Sequence, residues 1–100
     1  MRKTHRPEKL AHGMIRVLNE VLAYDAADDA LSNITVLRVE LSGDNRSANV
    51  FYSVLGDPDA AQAALERAEG FLRARMALEM GLRHTPRLTF MLEEDQWKDS

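Results

Sequence analysis

Two runs with the two-residue period of a β-strand flank four turn-forming residues, and this constrains the chain more than any other feature. Residues 34–41, Ile-Thr-Val-Leu-Arg-Val-Glu-Leu, are rich in the β-branched types that favour strands. Within residues 47–55, Ala48, Val50, Tyr52 and Val54 alternate with Asn49, Phe51 and Ser53. Between the runs lie Ser42, Gly43, Asp44 and Asn45, all residues that form turns readily. The pattern predicts an antiparallel hairpin.

The segments around the hairpin have a different period. Leu10, Met14, Val17, Leu18, Val21 and Leu22 recur at helical spacing, which predicts an amphipathic helix over residues 7–24 with Pro7 in its first turn. Asp57-Pro58 reads as a helix start, a capping carboxylate followed by proline at the first helical position. Ala61, Leu65, Ala68, Leu72, Met76 and Met80 then form one apolar stripe. Gly70 interrupts it, at about 1 kcal/mol relative to alanine, which points to a kink or a junction of two helices. Gly81 ends the second half, and Pro86 blocks continuation. Residues 87–93 form a third strand, with Leu88, Phe90 and Leu92 on one face.

The predicted order is helix, strand, strand, helix, helix, strand. The simplest α+β packing places three helices on one face of a three-stranded sheet. The other face then shows Val36, Arg38, Glu40, Asn49, Phe51, Thr89 and Met91. One domain spans residues 1–93, and residues 94–100 form a polar, mobile tail.

Charge is unevenly spread. The chain carries a net charge of −3, which by itself argues against nucleic acid. Residues 1–20 nonetheless hold five basic side chains against two acidic ones, and residues 73–90 hold four against one, so each segment is net +3. Brought together, they make one face attractive to phosphate on an acidic protein. Charge alone is equally compatible with two solvated helix faces.

Catalytic and metal-binding constellations are not evident. There is no cysteine, which excludes disulfides and thiolate metal sites and fits a reducing, intracellular setting. No Gly-x-Ser-x-Gly elbow or phosphate-cradling glycine loop is present. His5, His12 and His84 are scattered and read as surface or RNA-facing residues. No apolar run reaches the roughly 18 residues of a membrane helix. The expectation is a cytoplasmic, non-enzymatic protein without cofactor, metal, membrane partner or small-molecule substrate.

Three motifs narrow the reading. Residues 46–56, Arg-Ser-Ala-Asn-Val-Phe-Tyr-Ser-Val-Leu-Gly, resemble the second strand of the ribosome-binding factor A family. Residues 68–73, Ala-Glu-Gly-Phe-Leu-Arg, resemble that family's Ala-x-Gly interhelical kink. Residues 82–90, Leu-Arg-His-Thr-Pro-Arg-Leu-Thr-Phe, resemble its Leu-Arg-x-x-Pro-x-Leu-x-Phe entry to the last strand. The resemblance covers about residues 6–93. It implies a KH-like (type II) domain with a helix–kink–helix at Ala68-Glu69-Gly70. It implies a monomer that binds the small (30S) ribosomal subunit and its rRNA. It further implies assistance in late rRNA processing and subunit maturation, prominent in the cold, without catalysis. The kink replaces the Gly-x-x-Gly loop with which other KH domains clamp a nucleic-acid backbone.

A break at Gly70 would free N–H groups at the start of the following helix, an environment that favours phosphate. The RNA-binding set expected is therefore Arg2, Lys3, Arg6, Lys9, Arg46, Ala68, Glu69, Gly70, Arg73, Arg75, Arg83 and Arg87. Three stretches depart from the family pattern: Glu69 within the kink, Met76-Ala77-Leu78-Glu79 after it, and Asp28-Asp29-Ala30 after the first helix. Each lowers the local positive charge, and Glu69 would repel a nearby phosphate. Phe51 reads as a packing residue, with stacking on a base as the alternative. Trp97 belongs to the tail. A protein–protein module on the same fold, using Val36, Phe51 and Met91, is the alternative function.

Overall fold

The computed structural model describes the backbone of residues 2–25 and 28–93, and side chains over residues 8–24 and 28–93. The elements are α1 (Arg2–Glu20), a wider π-type turn (Val21–Asp25), a 3-10 turn (Asp29–Leu31), β1 (Ile34–Leu41), β2 (Ser47–Val54), α2 (Pro58–Met80) and β3 (Arg87–Leu92). The tail expected at residues 94–100, with Trp97, lies outside the described residues.

The hairpin forms where the sequence predicts it. β1 and β2 are antiparallel, and β3 joins β2 in parallel, so β2 is central in a mixed three-stranded sheet. The α2 segment supplies the crossover that a parallel pair requires. Its start matches expectation: the Asp57 carboxylate accepts the Asp59 N–H at 3.0 Å, and Pro58 occupies the first turn. At its end Gly81 adopts φ 65°, and its N–H and that of Leu82 both reach the Ala77 carbonyl.

Three expectations are corrected. First, α1 begins at Arg2, so Pro7 stands in its second turn, and the helix widens at Val21. Val21 and Leu22 stay buried through that change. Second, α2 is one helix of 23 residues, running through Ala68-Glu69-Gly70 without interruption. Among the described residues there are therefore two α-helices, in the order α-β-β-α-β. Gly70 causes no phase shift, because Leu65, Leu72 and Met76 on either side of it all face the core. Third, Val36 is buried and not on the open sheet face. The β1–β2 register slips between Val36 and Arg38, so Leu37 is an extra residue, a β-bulge. The bulge lets Ile34 and Val36 point inward before it and Val39 after it.

Both helices cover one face of the sheet. Met14, Val17 and Leu18 of α1 and Leu65, Leu72 and Met76 of α2 pack with Val50, Tyr52, Leu88 and Phe90 in a single core. Where the helices meet, a Cβ on Gly13 would lie 2.8 Å from the Met80 methyl, so a larger residue there would displace the end of the Met80 side chain.

Helix side chains bond part of the free backbone at both sheet edges. On β1, the Asn19 amide donates to the Val36 carbonyl at 3.1 Å and accepts its N–H at 2.7 Å. On β3, the Glu69 carboxylate accepts the Leu88 N–H at 2.9 Å, and the Gln62 amide donates to the Phe90 carbonyl at 3.0 Å. Such contacts protect edges that would otherwise template pairing with another chain.

Candidate nucleic-acid interface

The expected site residues fall into two groups. The first surrounds Gly70. With α2 continuous, the amides there belong to a helix interior and bond carbonyls four residues back, so no free N–H cluster faces a phosphate. Ala68 is half-buried against the core. Glu69 is bound to Leu88 of β3 and lies 3.7 Å from the Arg73 guanidinium. Arg73 also reaches the Thr85 carbonyl at 3.5 Å, tying α2 to the loop before β3. Arg75 turns to the other side of the helix, lining a hollow with Val17, Glu20, Tyr24 and Glu79, and pairs with Glu79 at 3.1 Å. Arg73 braces α2 against the loop before β3, Arg75 pairs within α2, and the two do not converge.

The second group sits at one end of the sheet, where the β1–β2 turn meets the loop between α2 and β3. The turn is held by its own polar groups. Ser42 N–H donates to the Ser47 carbonyl at 2.9 Å, and Asn45 N–H to the Ser42 carbonyl at 3.0 Å. The Asp44 carboxylate accepts the Ser42 hydroxyl at 2.7 Å and the Arg46 N–H at 3.1 Å. The hydroxyl, followed by that N–H, pulls the Asp44 carboxyl below its ordinary range. Asn45 takes φ 59°, a left-handed conformation that asparagine tolerates.

Arg46 projects from this turn with its side chain 87% exposed, 3.9 Å from Asp44. The Arg87 N–H bonds the Arg46 carbonyl at 2.9 Å, which fixes β3 against the turn. Arg46, Asp44, Asn45, His84, Thr85, Pro86 and Leu10 of α1 line a notch of about 500 Å³. Lys9 precedes Leu10, and Arg83 precedes His84. Lys9, Arg83 and Arg87 are exposed and make no ion pair with another described residue. Arg2, Lys3 and Arg6 lie on α1, but their side chains are outside those described. His84, Asn45 and Pro86 were not in the expected set. The Gly-Asp-Asn turn and the His-Thr-Pro loop mark both segments, but only the fold shows that they meet.

The open sheet face is less available than expected. The Arg38 guanidinium lies 3.8 Å over the Phe51 ring. It is held there by Glu40 and by Glu93, the latter at 3.1 Å. Glu40 first, and then Glu93, keep this guanidinium more firmly protonated than usual. With Phe51 covered and Val36 buried, two of the three residues expected of a protein-binding face are withdrawn. Among the described residues, no cluster of three or more His, Asp or Glu is placed to hold a metal ion, and no helix is long and apolar enough to cross a membrane.

The sequence model of a family described as Ribosome-binding factor A matches residues 6–98. The ribosome-binding factor A of Roseiflexus sp. strain RS-1 is 44% identical over 92 residues, spanning 88% of this chain and 71% of that protein. The crystal structure of ribosome-binding factor A from Thermus thermophilus is similar at a TM-score of 0.81 and 31% identity, covering 94% of this chain and 98% of that one. A homology model of Thermus thermophilus ribosome-binding factor A, fitted into a cryo-EM map of its complex with the 30S subunit, is similar at a TM-score of 0.67 and 28% identity. It covers 88% of this chain and 91% of that one.

Proposed function

This chain belongs to the ribosome-binding factor A family, and from that premise we propose that it binds the small (30S) ribosomal subunit through its rRNA. It assists late rRNA processing and subunit maturation without catalysing a reaction, acts as a cytoplasmic monomer, and is needed most in the cold. The domain is KH-like and spans residues 1–93, with residues 94–100 as a polar tail.

The observation that carries this reading is the set of exposed cations at the loop end. Lys9, Arg46, Arg83 and Arg87 are exposed on a protein whose net charge is −3. Arg46 lines the notch, the other three adjoin its lining residues in the chain, and Arg87 also lines a hollow beside Glu69 and Arg73. Arg2, Lys3 and Arg6, on the same helix as Lys9, complete the proposed RNA-binding set. Phosphate contacts of this kind release counterions, so affinity falls steeply with salt. The Ala68-Glu69-Gly70 segment, with Arg73, takes a supporting part, Glu69 and Arg73 holding β3 and its preceding loop in place, and Arg75 pairs within α2.

Cosedimentation with free small subunits tests the reading. Association at low salt, weakening as salt rises, is the expected result. Failure to associate at low salt overturns it.

A further inference from the structure

The notch at the loop end has features that a purely electrostatic surface does not need. The apolar surface it offers is that of the half-buried Leu10, with the fully buried Pro86 packed behind it. Its volume, about 500 Å³, lies in the range of roughly 300–1,000 Å³ typical of small-ligand sites. Its walls are fixed from three directions. The β1–β2 turn is closed by its own hydrogen bonds, Arg87 N–H holds the Arg46 carbonyl at 2.9 Å, and Arg73 reaches the Thr85 carbonyl at 3.5 Å. On the rim, the Asn45 side-chain amide makes no hydrogen bond to another described residue. It keeps a carbonyl acceptor and two N–H donors for a ligand.

The apolar Leu10, the amide rim and the Arg46 guanidinium, which shares the wall with Asp44 at 3.9 Å, match a flat heterocycle with a polar edge and an attached phosphate. We propose that the notch holds one unpaired nucleotide of an RNA strand, its base over Leu10, its edge on Asn45, His84 beside the ring and its phosphate toward Arg46. This rests on the RNA-binding reading above and deepens it. A duplex keeps its bases stacked and paired, and the deep groove of A-form RNA is too narrow for side chains to read. Only single-stranded or bulged RNA fills such a concavity. The protein therefore discriminates by strandedness, a property that phosphate contacts alone do not confer.

The test uses the full chain and an unstructured, fluorescein-labelled RNA of about 12 nucleotides, within the site sizes usual for single-strand binders. The same RNA annealed to its complement is the second probe. The single strand is expected to bind about tenfold tighter than the duplex, and the double variant Asn45→Gly with His84→Ala to remove that preference while leaving duplex affinity unchanged. Glycine keeps the positive φ at position 45 without strain. Equal affinity for both forms, unmoved by the variant, overturns the notch proposal and leaves the RNA reading standing. If neither RNA nor small subunits bind, both fall. If the variant loses small subunits but holds both RNAs as before, the occupant is a ribosomal protein and the proposal is overturned.

Discussion

The middle of α2 and the loop end of the sheet carry similar side chains and use them in opposite ways. Around Gly70, Glu69 and Arg73 face each other and reach across to β3 and its preceding loop. At the loop end, Lys9, Arg83 and Arg87 have no such partners among the described residues, and Arg46 has only the exposed Asp44. The difference lies in what each region must satisfy. An outer strand leaves backbone N–H and C=O groups without a ladder, and α2 lies along one. Its charges are drawn into closing that edge. The hairpin turn satisfies its own backbone through Ser42 and Asp44, so the arginine beside it remains available.

The sharpest way to break this comparison is to reverse charge in each region separately. Replacing Arg46, Arg83 and Arg87 together by glutamate should weaken small-subunit association about a hundredfold, roughly 2.7 kcal/mol. The melting temperature should barely move, because exposed side chains without structural partners contribute little to stability. A flattened salt dependence in the same sedimentation experiment would trace the loss to phosphate contacts. Equal loss of folding and binding would sink the division into a bracing region and a binding region.

Glu69→Ala tests the bracing side. It strips the half-buried Leu88 N–H of its acceptor and leaves Arg73 without its carboxylate. An unsatisfied group of this kind costs about 1–3 kcal/mol, measurable by urea denaturation. Were Glu69 only a repulsive charge beside a phosphate, as its place in the sequence motif implies, the variant would instead bind subunits more tightly at unchanged stability.

The same pair of regions shows what a sequence discloses. The hairpin, its turn, the Asp57 cap, the Gly81 stop and the third strand were legible because each depends on local chemistry within a few residues. The apolar stripe of α2 was legible too, and its unbroken phase across Gly70 was the available sign of a continuous helix. What was lost was lost to tertiary context. A mid-helix glycine costs about 1 kcal/mol, and packing of Leu65, Leu72 and Met76 offsets that. The bulge at Leu37 hides because Ile34 and Val36 alternate in one phase and Val39 and Leu41 in the other. Only pairing with β2 shows where the slip occurs. In the sequence Glu69 looks like an obstacle because its partner, Leu88, is 19 residues away. The notch was invisible for the same reason: Leu10, Asn45 and His84 meet only through the fold.

Gly70→Ala sharpens the comparison with a smaller effect. A Cβ at this position meets nothing within 4 Å, and helical φ suits alanine. The variant should therefore stabilise the protein by about 0.5–1 kcal/mol. Subunit association should be unchanged, since binding lies at the other region. A stabilised protein that no longer associates with small subunits would show that a break at Gly70 is needed in the bound state, returning function to the middle of α2.

The smallest effect expected is the response of the hairpin turn to acid. The folded Asp44 carboxyl lies below its ordinary range, held there first by the Ser42 hydroxyl and then by the Arg46 N–H. A depressed carboxylate stabilises the fold fully above its unfolded value, about 3.9, and that contribution disappears as pH falls through the folded value. Hydrogen exchange at the Arg46 and Ser47 amides should thus accelerate relative to β2 only below about pH 4. Asp44→Asn retains a side-chain acceptor and removes the titration, so its turn should respond evenly across that window. If the Leu88 amide, bound to Glu69, loosened before the turn did, Asp44 would not be the group that first fails, and the self-contained character assigned to the loop end would be wrong.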